Sequence, residues 1–194
     1  MPLPGRTDVP IRILPEDVAS AIAAGEVIER PASVVKELLE NALDAGARTV
    51  QLRIEDGGRG LIEVGDDGDG IAAAEVPLAL ARHATSKLRT TDDLFAIQTL
   101  GFRGEALASI AAVARLELVS RTGGEAGGTR LTAEGGVVGK PGPIGAAAGT
   151  VVRVRDLFFN VPARKKFLKG EETERRRILA LVTRYALAYP HVRF

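Results

Sequence analysis

Two residues one helical turn apart raise the first chemical question. In VVKELLENALDAGA, Val34 to Ala47, Glu37 and Asn41 stand at i and i+4 of a strongly helical stretch. A carboxylate beside an amide oxygen could act as a general base next to a hard ligand for Mg²⁺, a cation that takes oxygen donors and few protein ligands. The pair also fits the solvated face of an amphipathic helix. At about 100° per residue, Val34, Val35, Leu38, Leu39, Ala42, Leu43 and Ala45 fill one side of the wheel. Lys36, Glu37, Glu40, Asn41 and Asp44 fill the other. One helix leaves both readings open.

VGDDGDGI, Val64 to Ile71, follows a predicted strand. Its glycines would let backbone approach a ligand closely, and its aspartates could bind a cation or accept from a donor; a plain acidic turn is the competing reading. A calcium EF-hand loop with its glycine at Gly70 would need a glutamate where Val76 stands, so that reading fails. GFRGEALASI, Gly101 to Ile110, is a glycine-bracketed loop entering a helix, where free N–H groups suit a phosphate or where Glu105 simply caps the helix. A Walker A loop is absent: GGVVGKP, Gly135 to Pro141, has the wrong glycine spacing and a proline in place of Ser or Thr.

The elements that must position these residues follow from periodicity. Pro15 opens a helix through Ile22 that Gly25 breaks, and Pro31 opens a second that ends at Gly46. Val50–Glu55 and Leu61–Val64 form a hairpin about Gly57–Gly60. Short helices are predicted at Ala74–Ala81, Thr91–Ile97 and Gly104–Val113, with strands at Leu116–Arg121, Thr129–Glu134 and Val151–Arg155. Gly135–Gly149 reads as a loose surface connection, and a last helix covers Thr173–Ala188. Grouped strands and helices predict an α+β two-layer sandwich with a mixed, mainly antiparallel sheet.

With 194 residues and 45% hydrophobic composition the chain suits one domain with its own core. Zero cysteines exclude disulfides and thiol chemistry, and two histidines leave little for a zinc site. A net charge of +1 makes no general case for nucleic acid, so any such contact must come from local clusters: Arg164, Lys165, Lys166 and Lys169, with Arg175 to Arg177 following. A solvated helix face is the competing reading of those clusters. No signal peptide or membrane anchor is visible, which makes the cytoplasm the default compartment.

Taken in order, acid-x-x-x-Asn on a helix, Asp-x-Gly-x-Gly after a strand, a glycine loop before a helix, and Gly149-Thr150 entering a late strand resemble the GHKL ATPases. More narrowly, AIAAGEVIERPASVVKELLENALDAGA, ARHATSK and LGFRGEALASIAAVARL resemble the MutL mismatch-repair family from Ile11 to about Pro190.

The resemblance implies a GHKL ATP-binding domain over the chain, with residues 1–10 flexible and 82–104 forming a lid and phosphate loop. It implies that ATP and Mg²⁺ are the cofactors, that Glu37 polarises the attacking water and that Asn41 holds the metal. Asp66 would accept from the adenine amino group, Thr150 would support that network through water, and Gly68 and Gly70 would pass close to the base. His83 to Lys87 would lie in the lid, with Thr85, Ser86 and Lys87 near the phosphates. Gly101, Phe102, Arg103, Gly104, Glu105, Ala106 and Leu107 would wrap the triphosphate.

One residue departs from the family: Asp67 stands where Asn is usual, which predicts extra negative charge beside the nucleotide. Relatives take a γ-phosphate lysine from a following domain, so the expectation for this chain is ATP binding with weak or absent hydrolysis. The implied partners are a mismatch-recognition protein of the MutS type and DNA, held nonspecifically through Arg164, Lys165, Lys166 and Lys169. An ATP-dependent homodimer is also implied, with a nucleotide-gated scaffold as the alternative function and a nucleoid-associated location if the source is bacterial.

Overall fold

A computed structural model of the chain describes residues 12, 13, 15–81, 84, 100 and 104–194. The expected helix Thr91–Ile97, the residues His83, Thr85, Ser86, Lys87, Gly101, Phe102 and Arg103, and the first ten residues lie outside that set.

Among the described residues, five α-helices and seven strands alternate in blocks: α1 (Glu16–Val27), α2 (Pro31–Asp44), β1 (Val50–Glu55), β2 (Leu61–Asp66), α3 (Ala106–Val113), β3 (Arg115–Arg121), β4 (Gly128–Glu134), β5 (Val137–Val138), β6 (Gly142–Ile144), β7 (Gly149–Arg155), α4 (Pro162–Phe167) and α5 (Glu171–Ala188). The sheet runs β1-β2-β7-β3-β4-β5, with β6 also on β4. Every ladder is antiparallel, and the parallel component reduces to the isolated bridge Thr49–Arg193.

Register sorts the side chains into rows, because alternate residues of a strand point to one face. Leu52, Val64, Val152, Leu118 and Leu131 line up across five strands, and Ile54, Ile62, Val154, Leu116 and Ala133 form the next row. Both rows belong to the core beneath α2 and α3. The opposite face carries Arg53, Glu63, Arg153 and Glu117 in one row, where alternating charges pair across strands instead of seeking cover. Arg153 bonds to Glu63, and its Nη1 donates to Glu117 at 2.7 Å. One covered and one charged face make this the two-layer α+β sandwich that the sequence predicts.

Helix α2 starts with proline in its first turn and ends before Gly46, whose φ of +71° suits glycine. Val34, Val35, Leu38, Leu39 and Ala42 are all buried, each aliphatic side chain larger than alanine contributing up to about 1.5–3 kcal/mol.

Several expectations are corrected. Helix α1 continues through Gly25, because that glycine leaves room for the Arg164 guanidinium, whose Nη1 donates to the Gly25 carbonyl at 2.7 Å. The predicted helix Ala74–Ala81 is only a 3₁₀ segment, Val76–Leu80, with Pro77 in its first turn. Gly135–Gly149 is not loose, since β5 and β6 use their backbone groups to cover the edge of β4. The helix α4 lies where no element was predicted, opened by Pro162.

Candidate functional site

The third row of the covered sheet face is where apolar packing stops. Val50, Asp66, Thr150, Ser120 and Thr129 share this row, so polar side chains occupy positions that alternation assigns to the core. With α2 and the start of α3 above them, Asp66 and Thr150 of this row and Val64, Val152 and Leu118 of the neighbouring one floor a cleft of about 1160 Å³, somewhat larger than the roughly 300–1,000 Å³ typical of small-ligand sites.

Asp66 is half-buried, and its Oδ1 accepts the Gly68 N–H at 2.9 Å. Burial pushes its carboxyl above the usual carboxylate range; the N–H groups of Gly68 and Thr150 oppose that rise, and the charge of Asp67 adds to it. Ser120, 1% exposed, has its Oγ at 2.8 Å from the Ile71 nitrogen, 3.1 Å from the Gly149 carbonyl and 2.8 Å from Thr150 Oγ1. Two glycines with positive φ keep this floor in place. Gly149 (φ +111°) leaves no room for a Cβ against the Asp66 carbonyl, and Gly70 (φ +73°) leaves none against Arg121. Gly68 likewise packs on the Ala45 carbonyl. The sequence reading gave Gly68 and Gly70 to the ligand; their closest demands come from the protein backbone, although Gly70 does line the cleft.

One wall is the polar side of α2, where Lys36, Glu37, Glu40, Asn41 and Asp44 all line the cleft. The face is therefore not simply solvated: Glu40 is 6% exposed, and Glu37, Asn41 and Asp44 are half-buried. Lys36 Nζ lies 2.7 Å from Glu40 Oε2 and 3.3 Å from Glu37 Oε1. Burial alone would lower the Lys36 ammonium, but its bonds to Glu40 and Glu37 and their charges raise it. Asp44 Oδ1 accepts from the Leu100 N–H at 3.0 Å.

The opposite wall is Gly104, Glu105, Ala106 and Leu107. Glu105 stands at the N-cap of α3 but makes no capping bond with its side chain, so the simple cap reading fails. Ala106 and Leu107 of the first turn of α3 line this wall, and the first-turn N–H groups of a helix, which lack intrahelical partners, favour an anion.

Asp67, expected to add charge beside the nucleotide, does not line the cleft. Its Oδ1 accepts from Arg48 N–H at 2.7 Å and Thr49 N–H at 2.8 Å, and those bonds, Thr49's first, hold its carboxyl below the usual range. The basic cluster also divides. Arg164 is half-buried and bonded to α1, whereas Lys165, Lys166 and Lys169 are exposed. A shallower depression of about 510 Å³ lies on the charged sheet face, where Arg115, Arg130 and Arg153 already pair with Glu134, Asp156, Glu117 and Glu63.

Sequence reasoning found Glu37, Asn41, Asp66, Gly70, Thr150 and Gly104–Leu107, and all line this one cleft. It missed Ser120, Glu40 and Tyr185. For Ser120 a signal existed: a serine at an inward position of an otherwise apolar strand, LELVS.

Residues 28–135 match the family described as histidine kinase-, DNA gyrase B- and HSP90-like ATPase. Among curated proteins, the chain is 58% identical over 184 residues to the DNA mismatch repair protein MutL of Geobacter sulfurreducens, covering 95% of this chain and 30% of the relative. The MutL of Symbiobacterium thermophilum is also 58% identical, with 29% of its length covered. The chain thus spans about 30% of the length of these relatives. The Aquifex aeolicus MutL ATPase domain complexed with ADP superposes with a TM-score of 0.67 at 40% identity, covering 86% of this chain and 58% of that one. The N-terminal domain of a DNA repair protein gives a TM-score of 0.75 at 30% identity, covering 90% of this chain and 50% of the other.

Proposed function

This chain belongs to the histidine kinase-, DNA gyrase B- and HSP90-like ATPase family and is of the MutL type within it, and from that premise we propose that its cleft binds and hydrolyses ATP to gate DNA mismatch repair. The observation that carries the reading is the convergence of Glu37 and Asn41 from α2, Asp66 and Thr150 from the sheet, and Gly104–Leu107 from α3 on one cleft.

In this reading Asp66 and Thr150 take the adenine. Adenine offers an amino group where guanine has a carbonyl, and a carbonyl facing the Asp66 carboxylate leaves acceptors unsatisfied at about 1–3 kcal/mol. The start of α3 takes phosphate, together with Gly101, Phe102 and Arg103 and the lid residues Thr85, Ser86 and Lys87. Glu37 orients the attacking water and accepts its proton, with Lys36 holding one carboxylate oxygen.

Among the described residues no group of three or more His, Asp or Glu could cage a metal alone. Mg²⁺ needs one or two protein oxygens and otherwise takes water and phosphate, and Asn41, whose amide carries an oxygen donor and which lines the cleft, is its proposed ligand. When bound, the ion would offset charge developing on the phosphates.

The same reading extends to the longer protein, where nucleotide binding would favour a homodimer and couple a MutS-type mismatch-recognition protein to later steps. Weak hydrolysis by this chain alone, nonspecific DNA contact through Lys165, Lys166 and Lys169, and a cytoplasmic, nucleoid-associated location belong to it as well. Among the described residues no helix is long and apolar enough to cross a membrane.

Calorimetric titration with a nonhydrolysable ATP analogue and Mg²⁺, beside the GTP analogue and an Asp66→Ala variant, tests the reading. ATP-selective binding that Asp66→Ala abolishes supports it; equal affinity for both nucleotides, or an indifferent variant, removes it. Glu37→Ala should keep nucleotide binding, and in the longer protein it should lower ATP turnover by roughly 10²–10⁴.

A further inference from the structure

Ser120 does not itself line the cleft, yet its hydroxyl meets three hydrogen-bond partners beside the cleft floor. It is 1% exposed on β3, and its register partner on β7 is Thr150, whose partner on β2 is Asp66. We infer that Ser120 fixes the hydrogen-bond direction of Thr150 and thereby makes the floor selective for a base edge carrying an amino group. The inference rests on the ATP-cleft reading and adds to it the residue that sets base specificity.

The argument is a count of protons. A serine hydroxyl has one proton and two lone pairs. The Ile71 N–H, at 2.8 Å, can only donate and takes one lone pair. The Gly149 carbonyl, at 3.1 Å, can only accept and takes the proton. What remains for Thr150 Oγ1, at 2.8 Å, is the second lone pair, so in the arrangement that satisfies all three partners Thr150 donates its single proton to Ser120. Thr150 then meets the cleft with lone pairs alone.

Ionised Asp66, opposite Thr150 in the ladder, is likewise acceptor-only. Two acceptors side by side suit an exocyclic NH₂, which has two protons to give directly or through a water. They repel a carbonyl edge. Turning the Thr150 proton to relieve the mismatch would cost the Ser120 bond to the Gly149 carbonyl, because Ser120 would then have to donate to Thr150 instead. Ser120 therefore acts as a positioning residue: it acts on the base through Thr150 without touching it.

Removing the Ser120 hydroxyl releases the Thr150 proton. Thr150 can then donate to a carbonyl, so discrimination should weaken even though the pocket keeps its shape. The probes are ADP and inosine diphosphate, whose base carries a carbonyl where adenine carries the amino group, titrated calorimetrically in Mg²⁺ into the wild type, Ser120→Ala, Thr150→Val and the double variant. The expected result is a ratio of ADP to inosine diphosphate affinity that falls about fivefold or more in Ser120→Ala. In the Thr150→Val background the same substitution should leave the ratio alone, since nothing remains for Ser120 to orient. Ser120→Cys, which keeps volume but bonds weakly, carries the same expectation if the alanine variant folds poorly.

A purely structural role would lower both affinities together and leave the ratio within twofold; that result overturns the inference while leaving the ATP-cleft reading intact. A ratio change that persists in Thr150→Val overturns it too. Failure of the wild type to prefer ADP removes the cleft reading itself, and this inference with it.

Discussion

The Tyr185 hydroxyl donates to Glu40 Oε1 at 2.7 Å, tying the last helix to the middle of α2 within one turn of Glu37. Glu40 Oε2 takes Lys36 Nζ at 2.7 Å, so both oxygens of a nearly buried carboxylate are occupied. Tyr185→Phe leaves one of them without its donor, which should lower unfolding free energy by about 1–3 kcal/mol, read as a lower urea midpoint at unchanged slope. Burial first, then the bond to Glu40 and its charge, raise the Tyr185 phenol above its ordinary value. A raised folded value means that the contribution is fully present below the unfolded value of about 10 and is lost only as pH climbs through the folded one. An unchanged midpoint at pH 7 would show the bond to contribute nothing.

Asp66 should give nucleotide binding an acid limb that starts above the ordinary carboxylate value of about 3.9, because burial raises its carboxyl and protonation turns an acceptor into a donor. ADP affinity is expected to fall as pH drops through that raised value, and Asp66→Asn should flatten the limb. The sign for stability is opposite. A carboxyl raised by burial favours the fold most when protonated, so without nucleotide Asp66→Asn should be neutral or stabilising near pH 7. A limb confined to pH values below about 3.9 would contradict the assignment.

The basic cluster should separate by substitution. Arg164→Ala removes the bond to the Gly25 carbonyl and the packing between α4 and α1, costing about 1–3 kcal/mol in stability. Lys165→Ala with Lys166→Ala should leave the melting temperature within the error of a surface change, yet weaken duplex DNA binding and flatten its salt dependence by about one unit of log–log slope per lost phosphate contact. DNA affinity that is indifferent to both lysines and to salt would remove this face from DNA binding.

Asp67 should prove to be a backbone clamp rather than a ligand group. Asp67→Asn keeps an acceptor for the Arg48 and Thr49 amides and should cost little, whereas Asp67→Ala should cost about 0.5–1 kcal/mol, because these exposed amides can turn to water. Its carboxyl is held low, so the contribution exists above about pH 3.9 and disappears as pH falls through the depressed value. A change in ADP affinity larger than the change in stability would return Asp67 to the nucleotide.

Much of this organisation was legible in the chain. The period of α2 and the alternation of β1 and β2 are local patterns; they put Glu37 and Asn41 on one helix face and the aspartates after a strand, and the resemblance to the GHKL ATPases then singled out Glu37, Asn41 and Asp66. What escaped depends on distant partners. Gly25 looked like a helix breaker because its reason for being glycine, Arg164, lies far along the chain. Residues 135–149 looked loose because glycine-rich sequence hides the pairing that β4 imposes on β5 and β6. Glu40 was placed on a wet face because its partner Tyr185 belongs to another helix. Asp67 was expected to bring charge beside the nucleotide because it adjoins Asp66, whereas a one-residue step along an extended chain reverses the direction of a side chain.

The strand order carries a consequence for vectorial synthesis. Strand β7 is inserted between β2 and β3, joining two hairpins that are otherwise unconnected in the sheet. A nascent chain that has left the ribosome only through β4 holds the β1–β2 and β3–β4 pairs but no strand in common, and the row of Asp66, Thr150 and Ser120 does not yet exist. Closing β7 against β2 spans some ninety residues and comes late by loop entropy. Until Gly149–Arg155 emerges, β2 and β3 have no strand between them, and the floor of the cleft is split between two separate hairpins.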